Sequence, residues 1–238
     1  MNNLRALVLA ILQTIVWMSV LTAGRLEGSS PRLACYYLDS IPVYQNDLMA
    51  PQLARYDLII LDMEIGEVNP DLLSSIRLLN PEIKILAYMT SEEVTTDTPS
   101  PSSYPLRYLL INSIQPSWWL RTSTGDHASF WPGTRMLNCS IQCPVVNGET
   151  WAQHFAGFIS DHVLSNPLWD GFFVDNCWSV VPWALEDVDS NNDGLNDSVS
   201  EGREWLDAQW KAGMNVMLQN LMTENPSKIL IGNAGYDY

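Results

Sequence analysis

Basic residues are scarce in this chain of 238 residues, which has 12 Lys and Arg against 27 Asp and Glu. The formal net charge is -15. Nucleic acids and anionic membrane surfaces are bound through clusters of basic side chains. The charge balance therefore excludes both as expected partners.

Histidine and cysteine are also too few and too scattered for a catalytic metal site. The three histidines stand at positions 127, 154 and 162, and no Cys-x-x-Cys pair or Cys/His cluster has zinc spacing. The chain also lacks the HxxxH pair that a metal-dependent polysaccharide deacetylase would need. The sequence predicts no metal or cofactor for catalysis. Cys139 and Cys143 are close enough in sequence to close a small disulfide loop.

Residues 1–24 predict an export signal. Arg5 ends a short basic region, an apolar run follows, and Thr22-Ala23-Gly24 supplies small residues for cleavage. The alternative is an uncleaved anchor, because about nineteen apolar residues are long enough to cross a bilayer. The signal predicts a secreted or extracytoplasmic protein with no other membrane segment.

Short apolar stretches alternate with helical patterns over residues 32–238, which predict one domain. Six stretches predict strands, at residues 33–38, 56–66, 83–89, 136–139, 172–175 and 228–233. Their βαβα rhythm is typical of a parallel sheet. A closed (β/α)8 TIM barrel needs about 250 residues and eight strands. The predicted fold is therefore an incomplete TIM barrel of about six βα units, truncated at its C-terminus, with a naturally open version of the barrel as the alternative.

The strand that ends at Asp175 carries the strongest indication of a site. Phe172-Phe173-Val174 suits a strand buried on both faces. In α/β barrels, groups at the carboxyl ends of strands form the catalytic face. The alternative is that Asp175 only caps the next loop. A binding cleft is favoured by a nearby amide and two nearby indole rings, those of Asn176, Trp178 and Trp183.

Other predicted strands also end in polar side chains. Asp62 and Glu64 follow the second strand, and Glu92 or Glu93 follows the third. Glycoside hydrolysis uses two carboxyl groups, one to protonate the leaving oxygen and one to attack the anomeric carbon or activate water. The catalytic candidates are, in this order, Asp175, Glu92 and Glu64. The substrate-binding candidates are polar and aromatic residues near these strand ends: Asp62, Tyr88, Trp119, Arg121, Trp131, Asn176, Trp178 and Asn233.

Asp62 also has a simpler interpretation, in which it pairs with Arg121 or Lys84. The ten Trp and nine Tyr residues fit carbohydrate binding, because sugar faces stack on aromatic rings. Many of them would also be expected in the core.

The segment from Asp187 to Glu201 resembles the first part of a calcium-binding loop. The oxygen-bearing residues occupy positions 1, 3, 5 and 9 of such a loop, with Gly194 at position 6, and are Asp189, Asn191, Asp193 and Asp197. Position 12, where a bidentate Glu is expected, is Ser200. The sequence predicts a structural calcium site, with a solvated acidic loop as the alternative.

The order of several motifs resembles glycosyl-hydrolase-like family 15, relatives of endo-α-1,4-polygalactosaminidase-like and α-galactosidase-type barrels. The motifs are ILAYMTSEE, WWLRTSTG, PGTRMLNCS, WDGFFVDNCW, the Asp-rich loop and ILIGNAG. The resemblance implies a TIM barrel with acid/base carboxylates at strand ends, and Asp175 matches the Asp of the family's DG-x-F-x-DN strand. The sixth strand carries Asn233 where a second carboxylate could stand.

The expected function is therefore a secreted glycoside hydrolase that cleaves O-glycosidic bonds of a polysaccharide or glycan. The alternative is a non-catalytic carbohydrate-binding barrel that has lost one catalytic carboxylate. The two differ in whether bound sugar is turned over.

Overall fold

The computed structural model describes residues 32–39, 47–97 and 99–234. The predicted export signal lies outside the described residues. From Ala34 onward the chain forms one compact unit. Among the described residues, no helix has the length and apolarity needed to cross a membrane.

The sheet that organises the fold is parallel throughout and has five strands in the order β1-β2-β3-β6-β7. The strands of the described residues are β1 Ala34–Tyr36, β2 Leu58–Asp62, β3 Lys84–Thr90, β4 Glu93–Thr95, β5 Thr134–Met136, β6 Gly171–Asp175 and β7 Ile229–Gly232. The parallel α/β architecture is confirmed. Within the described residues β1 and β7 are the sheet edges, so the sheet is open rather than a closed barrel.

The prediction of six strands in one sheet was wrong, because the fourth predicted strand does not belong to that sheet. Residues 134–136 pair in antiparallel fashion with β4, which the sequence did not predict, and the two form a separate ribbon. This pairing follows from position, because β4 comes only two residues after β3 and carries the chain away from the sheet.

In the part of the chain that the structure describes, six α-helices connect the strands. They are α1 Ala50–Leu53, α2 Ile65–Val68, α3 Pro70–Leu79, α4 Pro105–Ser113, α5 Trp151–Phe158 and α6 Arg203–Glu224. The α3 helix begins with Pro70 at its first turn and with Asn69 Oδ1 accepting from Leu72 N at 3.2 Å. After α5 the chain continues as a π-helix over Ile159–Leu164.

Side-chain alternation gives the sheet two different faces. One face belongs to the core, and its fully buried side chains include Ile59, Leu61, Ile85, Ala87, Phe172 and Val174. The register pairs Asp62 with Tyr88, and Thr90 with Asp175, on the opposite face. Phe173 lies on that face and is only half-buried, so β6 is not buried on both sides as the sequence suggested. The opposite face is therefore where a site can open.

The cysteines of the described residues are not joined by disulfides. Cys139 and Cys143 do not form the disulfide considered from their spacing. Cys139 Sγ instead donates to the carbonyl of Ser91 at 3.6 Å. Burial raises the pKa of Cys143 to about 11, which keeps this thiol protonated at neutral pH.

Replacing glycine by alanine should have opposite effects on the free energy of unfolding at two helix positions, Gly213 and Gly157. A Cβ at Gly213 in α6 would overlap the carbonyl of Cys139 and lie 2.7 Å from Ile141 N, whereas a Cβ at Gly157 in α5 would meet no atom within 4 Å. We expect Gly213→Ala to lower the free energy of unfolding by about 1–3 kcal/mol through overpacking. The matched Gly157→Ala should raise it by up to about 1 kcal/mol, because Ala favours the helix. Urea denaturation of both variants measures this, and equal signs would contradict the close approach at Gly213.

Candidate active site

Asp175 ends β6 and accepts three hydrogen bonds. Tyr88 Oη donates to its Oδ2 at 2.7 Å, and Asn233 Nδ2 donates to its Oδ1 at 2.7 Å. The backbone N of Asn176 donates to the same Oδ1 at 2.9 Å. An ionised carboxylate accepts on both oxygens and donates from neither. The three donors therefore hold the carboxylate in one orientation at the carboxyl edge of the sheet, where the sequence placed it together with Tyr88 and Asn233.

Two aromatic rings, those of Tyr36 and Phe173, lie close to the Tyr88 ring. The Tyr36 and Phe173 rings meet edge to face at 5.5 Å, and Tyr36 also meets Tyr88 at 5.5 Å. Burial first, and then the bonds with Tyr36 and with Asp175, raise the pKa of Tyr88 well above that of an ordinary phenol. Tyr88 therefore stays a neutral donor toward Asp175 over the whole physiological range. Sequence reasoning missed Tyr36. Side-chain alternation along the first strand could have placed it on the same face of the sheet as Asp62 and Tyr88.

Asp62 and Glu64 both engage Arg107, a residue that sequence reasoning missed. Arg107 donates to Asp62 through two nitrogens, at 2.7 and 2.8 Å. The suggested pairing of Asp62 with Arg121 or Lys84 is therefore wrong, and Lys84 lies 3.9 Å from Asp170 instead. The bidentate pair spans 45 residues of sequence, so no local pattern could have indicated it.

Glu64 is fully buried at the N-terminus of α4. Its two oxygens accept from the backbone N of Leu106 at 2.9 Å and of Arg107 at 2.6 Å. A carboxylate at a helix N-terminus satisfies N–H groups that have no partner within the helix. Burial nevertheless raises the pKa of Glu64. The structure thus gives this catalytic candidate an anchoring contact with α4 and no hydrogen bond to Asp175.

Glu92 and Glu93 point in different directions. Glu92 is 1% exposed, and its Oε1 accepts from Trp178 N at 3.2 Å and from Trp210 Nε1 at 3.4 Å. Glu93 accepts from Asn176 Nδ2 at 3.2 Å and from Thr134 Oγ1 at 2.6 Å. Burial raises the pKa of both carboxyl groups, and the charge of Asp175 contributes to each shift. Of the two, Glu93 is the one that reaches the open face.

A cavity of about 240 Å³ lies beside β3, between the β4–β5 ribbon and α4. Its polar lining comes from Tyr88, Thr90, Glu93, Thr95, Arg107 and Thr134. The cavity adjoins Asp175 through the hydrogen bond of Tyr88. A carboxyl group, a guanidinium and four hydroxyls around one space provide hydrogen-bonding groups for a polyhydroxylated molecule.

Asn176 connects the two carboxyl groups. Its backbone N donates to Asp175 and its side chain donates to Glu93. It has a φ of 53°, in the left-handed region that Asn tolerates better than most residues. Unusual backbone angles of this kind often occur at functional sites. The residue was predicted as a substrate-binding amide, and the structure gives it these two contacts.

A group of aromatic rings, here called the aromatic cluster, joins the segment before β5 to the segment after β6. It consists of Phe130, Trp131, Trp178 and Trp183, with Phe130 between 4.9 and 5.2 Å from each of the other three ring centroids. Trp131 is 51% exposed and Trp183 is 73% exposed. The backbone carbonyl of Trp131 accepts from the backbone N of Thr134 at 3.1 Å, and Thr134 lines the cavity. Exposed indole rings beside a polar cavity are unusual for a surface with no ligand.

Comparison with known protein families shows which family this chain belongs to. The sequence profile of hypothetical glycosyl hydrolase family 15 matches residues 77–237, which include β3, the β4–β5 ribbon, β6 and β7. The chain belongs to hypothetical glycosyl hydrolase family 15. The matched region contains Tyr88, Glu93 and Asp175, whereas Asp62 and Glu64 precede it.

Comparison of this family 15 protein with solved structures gives distant likenesses. Two are a point mutant of Kfla1895 in complex with isomaltose and the same mutant with cyclobis-(1->6)-alpha-nigerosyl. Each has 9% sequence identity and a TM-score of 0.45 and covers 87% of this chain. The chain spans about a third, 33%, of the length of those structures. No curated protein matches it significantly.

Two predicted binding residues of the family 15 protein have other neighbours. Trp119 meets His127 edge to face at 5.5 Å, and Arg121 Nη1 donates to the carbonyl of Gly125 at 2.9 Å. Within the described part of the chain, the hydrogen bonds and ring contacts of Trp119 and Arg121 do not reach Asp175 or Glu93.

Three predicted metal ligands come together in space. Oxygen atoms of Asp189, Asp193 and Asp197 lie within 4.8 Å of one another. Asn191 accepts from Asp193 N at 3.0 Å and donates to the Asp193 side chain at 3.1 Å.

Proposed function

We propose that this family 15 protein hydrolyses O-glycosidic bonds of a polysaccharide or glycan. The observation that carries the proposal is the pair of carboxyl groups, Asp175 and Glu93, held by one residue, Asn176, beside a polar cavity. Glycoside hydrolysis requires two carboxyl groups with different protonation states at one site.

Asp175 is proposed as the carboxylate that attacks the anomeric carbon or activates water. Its contacts with Tyr88, Asn176 and Asn233 fix its orientation before substrate arrives. Pre-arranged groups need no reorganisation during the reaction, and this lowers the barrier.

Glu93 is proposed as the general acid that protonates the leaving oxygen. Burial raises the pKa of Glu93, so a larger share of this carboxyl group carries its proton near neutral pH. Glu93 replaces Glu92 and Glu64 in this role for two reasons. Glu93 lines the cavity, whereas Glu92 bonds to Trp210 in the core and Glu64 caps α4.

We further propose that the five parallel strands are part of a (β/α)8 barrel and that the protein is exported. The barrel is supported by the sheet order and by the position of Asp175 at a carboxyl strand end. Export is supported by the apolar segment after Arg5.

A second candidate function is carbohydrate binding without turnover. The aromatic cluster favours it, because exposed Trp131 and Trp183 can stack on sugar rings whether or not the carboxyl groups react. The two functions are distinguished by incubating the protein with α- and β-linked glucans, galactans and galactosaminoglycans. Release of reducing ends supports hydrolysis, whereas calorimetric binding without release supports the second candidate.

On any glycan that is turned over, Trp183→Ala should raise KM about 5- to 30-fold and change kcat little. The ring adds binding energy of about 1–2 kcal/mol away from the bond that breaks. Leu78→Ala, which trims another exposed apolar side chain, on α3, is the control and should leave KM unchanged. A KM unaffected by Trp183→Ala would remove the aromatic cluster from the substrate site.

A further inference from the structure

The loop between β6 and α6 contains a second cluster of charged groups, separate from the proposed active site. Its carboxylates are Asp189, Asp193 and Asp197, and Asp189 and Asp197 are buried whereas Asp193 is exposed. None of the three forms a salt bridge with any other described residue. Like charges this close repel one another unless a cation lies between them.

Asp197 provides the independent observation that a ligand belongs here. The residue is fully buried, and its Oδ2 accepts from Ser190 N at 2.7 Å and from Ser190 Oγ at 2.5 Å. Its Oδ1 is buried and has no hydrogen-bond partner. A buried carboxylate oxygen without a donor is costly, and native proteins rarely leave one. A metal ion is a partner that such an oxygen can take.

The spacing of the cluster fits one calcium ion. Calcium binds oxygen at about 2.3–2.6 Å, so two ligands on opposite sides of the ion are about 4.6–5.2 Å apart. The three aspartate oxygens lie within 4.8 Å of one another, inside that limit. Magnesium would bring its ligands closer, at about 2.0–2.1 Å from the ion.

Other oxygens of the loop can complete the coordination. The backbone N–H groups of Asp193 and Gly194 donate to the two oxygens of Asp189 at 3.0 and 2.8 Å, and so curl the chain around this carboxylate. Gly194 has a φ of 83°, which allows the sharp turn at position 6. Asn191 offers a side-chain oxygen at position 3, and Leu195 offers its carbonyl at position 7.

We infer that this loop binds one Ca²⁺ through Asp189, Asn191, Asp193 and Asp197, and that the ion fixes the loop to the body of the protein. Asp189 N donates to the carbonyl of Arg121 at 2.8 Å, and Asn138 Nδ2 donates to the carbonyl of Ser190 at 2.5 Å. These two hydrogen bonds join the loop to two other parts of the chain, and the ion would hold the loop in the shape that forms them.

Calcium titration of the metal-free full-length chain by calorimetry tests the inference. We expect one site with a Kd of about 10⁻⁵–10⁻³ M, because position 12 lacks its bidentate Glu. Calcium at about 100 times Kd should raise Tm by about 5–10 °C, and magnesium by less. The absence of both binding heat and a Tm rise, at calcium concentrations up to about 100 mM, would overturn the inference.

The variant Asp193→Asn separates metal binding from a structural role, because Asp193 is exposed and its other contacts lie within the loop. In buffer with a metal chelator, the Tm of the variant should equal or exceed that of the unmodified protein, because the negative charge of Asp193 no longer repels the other two carboxylates. In calcium its Tm should be lower, with a Kd at least about 10-fold weaker. Glu186→Gln removes the same charge from an exposed neighbour in the same loop and should keep calcium binding unchanged. If Asp193→Asn lowers Tm equally in both buffers, the carboxylate is structural and the inference fails.

Discussion

Asp175→Asn should lower kcat on any turned-over glycan by at least about 10³-fold, with little change in KM. The amide keeps the shape of the side chain but cannot attack an anomeric carbon or deprotonate water. It also disturbs the hydrogen bonds, since Tyr88, Asn176 and Asn233 all donate to the carboxylate and an amide has one acceptor oxygen. Initial rates from a reducing-end assay and binding by calorimetry measure the two quantities.

The control for this variant must separate lost chemistry from lost structure. Asp161→Asn makes the same change on an exposed side chain of the π-helix after α5 and should keep full activity. Both variants should keep Tm within a few degrees of the unmodified protein, because Asp175 lies at the carboxyl end of β6 rather than in the core. Normal turnover by a folded Asp175→Asn protein would remove Asp175 from the mechanism.

Glu93→Gln should lower kcat/KM by about 10²–10⁴-fold on glycans and change the pH profile. A general acid must be protonated, so activity falls as pH rises through its pKa. Because burial raises the pKa of Glu93, this alkaline limb should lie above the pH at which an exposed Glu loses its proton. The limb should disappear in Glu93→Gln. An aryl glycoside whose leaving group needs no proton should lose much less activity than the glycan.

Glu92→Gln is the matched control, since it changes the adjacent carboxyl group. Glu92 contacts Trp178 and Trp210 inside the protein, so this variant should alter Tm while the alkaline limb stays in place. If instead Glu92→Gln abolishes the limb and Glu93→Gln keeps it, the acid is Glu92. The pH profiles of kcat/KM for the two variants decide between them.

The strands were predictable because each is a short apolar run followed by polar residues. Gly171–Asp175 and Lys84–Thr90 were found within two residues of their observed bounds. The β4–β5 ribbon was not, because its strands have only three residues each and depend on a pairing across 38 intervening residues. Local patterns carry no information about such a partner.

The same limit applies to the site. Alternation predicts that Glu92 and Glu93 point apart, but which of them faces the cavity depends on how β4 leaves the sheet. Arg107 lies in a helix with no local charge pattern, and only the fold brings it to Asp62. Asp175 could be predicted because its position at the end of an apolar strand is a local feature.

The register of the sheet has a consequence for how this protein can change in evolution. Asp62 pairs with Tyr88, and Tyr88 pairs with Phe173, two residues before Asp175, so Asp62, Tyr88 and Asp175 share a face. The residues just before them, Leu61, Ala87 and Val174, fill the core. Inserting or deleting one residue inside β6 would send Asp175 into apolar packing and turn Val174 outward. A change of two residues would keep the faces and shift only the height of the carboxylate. Length variation within β6 should therefore occur in steps of two among related proteins, whereas the loops after the strands are free of this restriction.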